Sequence, residues 1–399
     1  MTGMRWRAAA LAWLGGLALA AGAVVQGGQW GTPAWEGAYA LAGGRVVGWT
    51  AGDLFGAAGG VDVFVARPDG AGGWQSGWPG LERAYAALEA GNGLFLAGTL
   101  AAGADALRAQ TDALLLRLDG QGRVAWRARV GGRLKDAGQA LAPAPEGGVY
   151  LAGDGEGRVF GPGRGGRDVF VARFDTAGER LWGAQWGSDD DDFLTAAAPD
   201  GAGGVYLAGF SDVDEDCRRV SERGFLLRYA ASGELLWAYR WGFGAASRPT
   251  ALAAAPGGVW VLGQTDGALY GPFAGGRDVF VVFVAASGEP RGGVQWGSPA
   301  ADLAHALVRY EDGRLWAAGA TAGRLFAEPR GAFDAFAARL DASGRPQAGW
   351  QGGTPARDEA LALEARPDGS VRLAGVTYGS FWGEHAGQAD AWAALLWLP

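Results

Sequence analysis

A short apolar stretch ending in glycine recurs along the chain as RVVG, LFLAG, VYLAG, VYLAG, VWVLG, LWAAG and VRLAG, with its glycine at Gly48, Gly98, Gly153, Gly209, Gly263, Gly319 and Gly375. The first interval is 50 residues and the rest are 54 to 56. Self-similarity at a fixed period signals a repeat architecture, in which one supersecondary unit buries its apolar face only by stacking on its neighbours. The feature restricts the chain to folds with seven equivalent places.

Each unit carries three more apolar stretches. DVFVAR (from Asp62), DALLLR (Asp112), DVFVAR (Asp168), GFLLRY (Gly224), DVFVVF (Asp278), DAFAAR (Asp334) and DAWAAL (Asp390) follow the glycine stretch. Their β-branched and aromatic content reads as strand. A turn such as DTAG, AASG or DASG comes next. A further strand then ends in QWG or a relative, and a small-residue strand (AYALA, AYAAL, QALAP, LTAAA, TALAA, HALVR, EALAL) closes the unit. Four short strands in about 55 residues, repeated, predict an all-β chain folded as a seven-bladed β-propeller. We letter the small-residue strand A, the glycine strand B, the DVFVAR strand C and the QWG strand D. The small side chains of A suit the crowded axis, and the tryptophans of D suit the outer edge.

The termini complement each other. The chain ends at a seventh strand C, and VVQGGQWG (24–31) is a strand D with no unit before it. Pairing 24–31 with 390–396 is expected to close the ring and remove an open sheet edge. Upstream, MTGMRWR is a basic n-region, AAALAWLGGLALA an apolar h-region and Ala21-Gly22-Ala23 a small-residue cleavage site. Residues 1–23 are therefore expected to be a signal peptide, with an uncleaved membrane anchor as the alternative, and 24–399 the propeller. Either way the domain is exported, to the periplasm, the cell surface or the medium.

Composition narrows the function classes. Glycine at 73 of 399 residues beside 49% apolar content and 19 tryptophans describes turns between packed strands, not a disordered tract. A formal charge of −8 disfavours nucleic acid and anionic membranes. The single Cys217 excludes an internal disulfide and a cysteine zinc site. The propeller is read as a monomer.

The run D-[VA]-F-V-A-R-[FL]-D-x-x-G-x-x-x-W, followed by QWG and then GGVYLAG, resembles the bacterial SBBP repeat, a seven-bladed β-propeller family. The resemblance covers nearly everything after the leader. It implies an exported or cell-surface protein and fixes no catalytic residue. Blade four departs by placing Gly224 where strand C otherwise begins with Asp, blade five by reading FVVFVAASG, and blade one by a short B–C connection. The D-x-x-G-x-x-x-W element is also distantly similar to turns of quinoprotein propellers and Asp-box proteins, without the leading Ser of the Asp box.

Acidic connections are the most unusual local feature. Asp189, Asp190, Asp191 and Asp192 lie between strand D of blade three and strand A of blade four, and Asp212, Asp214 and Asp216 lie in the B–C connection of blade four, on the same face. Alternating aspartates resemble the opening of a calcium loop, so these seven are candidate calcium ligands. Cys217 stands where such a loop needs glycine, Arg223 holds the twelfth position, and the competing reading is a solvated acidic loop; no other cofactor is expected.

Other recurrent residues read as structural. Asp168, Asp278, Asp334 and Asp390 are expected to start strand C as hydrogen-bonding devices, and Arg67, Arg117, Arg173 and Arg339 to pair with such carboxylates between blades. Trp30, Trp186, Trp241 and Trp296 are expected to pack, with a sugar-stacking surface as the alternative. His305 falls in an inner strand A and His385 in a loop beside Glu384. GPGRGGRD (161–168) lacks the Lys-Ser or Lys-Thr of a phosphate loop, and no nucleophile elbow supports a serine hydrolase. The sequence thus points to an exported, non-enzymatic binding or scaffolding propeller with a protein or glycan partner. A quinoprotein-like or polysaccharide-active enzyme and a purely structural envelope protein are the alternatives.

Overall fold

The computed structural model describes residues 24–56, 60–76, 78, 80–91, 93–101, 110–215, 219–241 and 245–398. They form 28 strands and a single turn of 3-10 helix. Five sheets have four strands, and one eight-stranded sheet joins blades one and two. Strands A to D are Glu36–Ala42, Arg45–Thr50, Gly60–Ala66 and Gly73–Gln75 in blade one, and Gly80–Ala90, Gly93–Ala101, Asp112–Asp119 and Val124–Val130 in blade two. Blade three has Asp136–Pro143, Val149–Glu156, Arg167–Phe174 and Arg180–Trp186, and blade four Asp191–Pro199, Val205–Glu215, Arg219–Tyr229 and Leu235–Arg240. Blade five has Ser247–Ala255, Gly258–Thr265, Asp278–Ala285 and Pro290–Trp296, and blade six Asp302–Arg309, Leu315–Thr321, Asp334–Leu340 and Pro346–Gly352. Blade seven has Asp358–Ala365, Val371–Thr377 and Asp390–Trp397, and its fourth strand is Val24–Trp30, antiparallel to the last strand from Val24↔Trp397 to Trp30↔Ala391.

No blade has a core of its own. The buried apolar residues fall into seven clusters, each built from two consecutive blades. Blade seven meets blade one through Ala362, Ala374, Ala391 and Ala393 against Ala38, Val46 and Phe64. The D-strand tryptophans belong to these seams. Trp186, Trp241 and Trp296 lie against Phe225, Phe280 and Phe336, the third residue of the ordinary strand C in the next blade, with centroids 4.9, 6.4 and 5.9 Å apart. Packing, not sugar stacking, accounts for them.

Polar groups bind the seams at one face. Strand C begins with a buried Asp in six blades, and strand A of the following blade begins with a buried Asp or Glu: Asp62 and Glu82, Asp112 and Asp136, Asp168 and Asp192, Asp278 and Asp302, Asp334 and Asp358, Asp390 and Glu36. The QWG glutamine donates Nε2 to the first of each pair at 2.7–3.0 Å through Gln75, Gln185, Gln295, Gln351 and Gln29. Its Oε1 accepts backbone N–H groups of the B–C loop, as from Leu325 and Phe326. In blade two Arg129 replaces the glutamine and donates Nε to Asp112 at 2.8 Å. The second acid accepts the N–H four residues before it, from Thr32, Gly132, Ser188, Ser298 and Thr354 at 2.5–2.7 Å. Blade four departs at both places: by register Arg223 stands where strand C otherwise carries Asp, Ser247 stands where the next strand A carries an acid, and Gly224 donates its N–H to Ser247 Oγ at 3.0 Å. Both acids of that seam are replaced together.

The recurrent Asp therefore acts as the strand-start device expected of it. The strand-C arginines do not pair with it, because they stand at the opposite end of the strand. Arg117, Arg173 and Arg228 donate to the C–D turn carbonyls of the next blade, Thr176, Ala231 and Ala286; Arg339 reaches Leu398 O at 3.5 Å, and Arg67 pairs locally with Asp69 at 3.6 Å.

The glycine of strand B has a specific reason. Every strand A carries a β-bulge, with the register slipping at Tyr39, Tyr85, Gln139, Thr195, Thr250, His305 and Leu361. The bulge pushes a strand-A carbonyl against strand B. A Cβ on Gly48, Gly98, Gly153, Gly209, Gly319 or Gly375 would overlap the carbonyl oxygen of Gly37, Arg83, Ala137, Phe193, Leu303 or Glu359, and one on Gly263 would crowd Arg248 O. Only glycine admits the bulge.

Gly319→Ala is expected to cost roughly 2–4 kcal/mol by forcing backbone movement. Gly28→Ala, where an added Cβ meets nothing within 4 Å, changes stability by less than about 1 kcal/mol. Urea unfolding of the two variants checks the contrast. Burial, with Asp62 nearby, pushes the Glu82 carboxyl up to about 7. Because the folded value is raised, its favourable contribution is complete below about pH 4.5 and lost as pH rises through about 7. Glu82→Gln should thus raise the thermal midpoint relative to wild type at pH 8, by on the order of 2 kcal/mol, and not at pH 4.

Candidate functional site at the channel mouth

The seven A strands surround the axis, each packed on the A strands of both neighbours. Strand A alternates. The residue before each bulge turns into the seam, as Ala38, Ala84, Ala304 and Ala360 do at 1% exposure or less. The bulged residue faces the channel, and all seven are half-buried. A bulge re-aims a side chain without breaking the sheet. Here it presents seven different environments on one repeated frame.

The ring has two unlike halves. On blades four and five the hydroxyls are used up internally, Thr195 Oγ1 donating to Pro249 O at 2.8 Å and Ala208 O at 3.0 Å, and Thr250 Oγ1 approaching Leu262 O at 3.4 Å. Above them Arg167, Phe193, Phe210 and Arg248 form a column, the phenyl rings stacked at 5.2 Å and Arg248 lying 4.2 Å from the Phe210 centroid. Those cations are compensated by Asp154, Glu156 and Glu222.

The half on blades six, seven, one and two is chemically open. His305 Nε2 lies 3.1 Å from Glu359 Oε2, and Arg357 pairs with the same carboxylate. Burial pushes Glu359 up, but hydrogen bonds and charge from His305 and Arg357 outweigh it and hold the carboxyl at about 2. Tyr39 stacks on Trp49 at 5.9 Å and meets Tyr85 edge-on at 6.1 Å, while Arg83 lies over Trp49 at 4.7 Å. Burial, then Tyr378, Tyr85 and Glu359, push the Tyr39 hydroxyl up to about 12, so it is a neutral donor.

The acidic residues singled out in the sequence lie elsewhere on this face. Asp192 is the buried strand-A acid of blade four, bound by Ser188 and Ser211. Asp191 pairs in register with Asp212 and accepts the Arg167 N–H at 2.9 Å. Asp189 and Asp190 form the turn against which Gly165 packs, which is the structural use of GPGRGGRD. The connection containing Asp212 and Asp214 is not a loop: strands B and C run on as a hairpin with Asp212↔Glu222 and Asp214↔Val220, because alternating residues suit a strand. Asp216 and Cys217 lie outside the described residues, as do residues 1–23. Burial and Glu222 raise the Asp212 carboxyl, and Arg248 and Arg277 sit 3.4 and 3.3 Å from Glu222. Among the described residues no three His, Cys, Asp or Glu side chains converge as a metal-binding group.

His385 places Nδ1 3.3 Å from the buried Asp390 Oδ2, and its N–H donates to Ser380 Oγ at 3.2 Å. It is thus tied to a seam acid and not simply solvated. A cleft of about 440 Å³ opens at the other face, between the A–B turns at Asp200 and Pro256, away from this chemistry. No described helix is long and apolar enough to cross a membrane. The sequence places His305 on an inner strand but does not single out Tyr39, Tyr85 and Arg83; the available signal was that Tyr39 and Tyr85 each lie two residues after the equivalent positions Gly37 and Arg83 of the small-residue strand.

Solved structures with the same architecture share little sequence. The fold is a β-propeller. The chain is similar to the Pan2 WD40 domain of Neurospora crassa, at 10% identity and a TM-score of 0.49 over 91% of this chain and 89% of that one. It is also similar to a putative 6-phosphogluconolactonase of Bacteroides fragilis, at 12% identity and 0.45 over 83% and 88%. The periplasmic gluconolactonase PpgL of Pseudomonas aeruginosa aligns at 16% identity and 0.38 over 74% and 95%. No family model and no curated protein matches the chain.

Glu359→Gln should remove the carboxylate that Arg357 and His305 share. A depressed carboxyl contributes stability above about pH 4.5 that is lost as pH falls towards about 2. The variant is expected to unfold several degrees below wild type at pH 7, with the gap closing by about pH 2–3 in thermal melts.

Proposed function

We propose that this protein is an exported binding propeller of the SBBP-repeat type, acting at the bacterial cell surface or in the periplasm, that takes a protein or glycan ligand at the channel mouth. One observation carries the reading. Positions that hold the frame repeat from blade to blade, whereas the bulged residues vary: Tyr39 and Tyr85, Gln139, Thr195 and Thr250, His305 and Leu361 put five kinds of side chain at one repeated place. A frame that repeats supports folding. Divergence at the side chains facing the channel supports recognition of an asymmetric ligand. The basic and apolar leader supports export.

The His305–Glu359 contact favours one alternative, a propeller enzyme using His305 as an acid–base group. A glycan array read beside a panel of chromogenic glycosides, esters and lactones separates the two. The binding reading expects a retained, chemically unchanged ligand that is lost in Tyr39→Ala/Tyr85→Ala at an unaltered thermal midpoint. Turnover abolished by His305→Ala overturns it. Export is tested by expressing the full chain in a bacterial host: it should reach the periplasm or envelope, and a cytoplasmic product refutes that part of the proposal.

A further inference from the structure

Donors without acceptors mark the wall between blades one and two. Arg83 Nε and Trp49 Nε1 are both shielded from solvent and lack a hydrogen-bond partner among the described residues. Shielded Nε atoms also occur at Arg117, Arg173 and Arg366, but those side chains are engaged through Thr176 O, Ala231 O and Asp368. Arg83 has no ion pair or hydrogen bond among the described residues, only the face of Trp49 at 4.7 Å. Buried polar groups are normally satisfied, and a group left unpaired implies an occupant that supplies the missing atom. Unpartnered indole Nε1 atoms also occur at Trp30, Trp241, Trp296, Trp316, Trp350, Trp382 and Trp392, so Arg83 is the donor that distinguishes this wall, and what it lacks is an acceptor.

Charge and shape narrow its class. Glu359 at this half of the mouth is already shared by Arg357 and His305, and among the described residues Arg83 makes no ion pair. A guanidinium presents a planar fork suited to a carboxylate. Beside it Tyr39 stacks on Trp49, the planes 14° apart, and Tyr85 meets Tyr39 edge-on, so aromatic surface gathers next to the guanidinium. Aromatic surface takes the apolar face of a ring.

We propose, building on the binding reading above, that this sector is a subsite for a carboxylate carried on a flat ring, with Arg83 and Trp49 Nε1 holding the carboxylate and Tyr39 and Tyr85 the ring. The chemistry is shared by sugar acids and aromatic acids. Isothermal titration of the protein with glucuronate, benzoate, methyl glucoside and benzyl alcohol tests it. The expected result is binding of one or both anions, at least tenfold tighter than the neutral partner of the same ring, and glucuronate against benzoate identifies the source. Arg83→Ala should weaken the anion at least tenfold and Arg83→Lys by less, while Trp49→Phe, which keeps the ring and removes the donor, weakens it several-fold. Thermal midpoints within a few degrees of wild type confirm that the variants fold.

Equal affinity for anion and neutral partner, no binding of either anion, or an Arg83→Ala variant that binds as wild type overturns the subsite. Each of those outcomes leaves the broader binding reading to its own screen. Turnover of another substrate at the mouth overturns that reading and leaves the anion subsite standing.

Discussion

Apolar burial in this protein exists only between blades. Every hydrophobic cluster draws its members from two consecutive blades, so a single four-stranded unit exposes both faces and has nothing to bury them against. The seam between blades seven and one is filled in the same way as the other six. Strand Val24–Trp30 belongs to that arrangement, because it pairs with Asp390–Trp397 and brings Trp30 into the cluster. Removing one element exposes two sheets.

The same seams hold buried carboxylates in pairs, a costly choice unless each is bound. They are bound by short local loops and by the QWG glutamine, which connects strand D, the start of strand C and the B–C loop of one blade. The arrangement ties loop shape to sheet position, so that loops on this face are set by the frame. Blade four shows the rule by its exception. With Arg223 and Ser247 in place of both acids, a hydrogen bond from the Gly224 N–H to Ser247 Oγ closes the seam, and strands B and C continue outward as a hairpin.

At the axis the governing contact is between the bulge of strand A and the glycine of strand B. The missing side chain lets a carbonyl tuck in, the strand bends, and one side chain per blade turns to the channel. Seven such turns make a ring whose frame is fixed and whose chemistry is free. On blades four and five the free positions are closed by their own hydroxyls. On blades six to two they gather His305, Glu359, Tyr39, Tyr85 and Arg83, where donors and aromatic faces remain available.

The sequence by itself determined the number of units, the order of four strands within each, and the placing of small residues inside and tryptophans outside, because periodicity and residue size report local constraint directly. It also marked the strand-C aspartates as structural, since a residue needed in nearly every blade serves the frame. It misled where partners are set by distance in space: Arg117 and Arg173 reach turn carbonyls of the next blade, and Asp212 and Asp214 lie on a hairpin that their calcium-loop spacing did not suggest. The site was illegible for the same reason. Tyr39 and Tyr85 sit in segments that read only as small and apolar, and the bulge that turns them to one channel is a register slip between strands, which no single strand's sequence encodes. The tertiary structure alone decided it, because the glycine that admits the bulge and the side chain that the bulge exposes lie on different strands and meet only when the sheet forms.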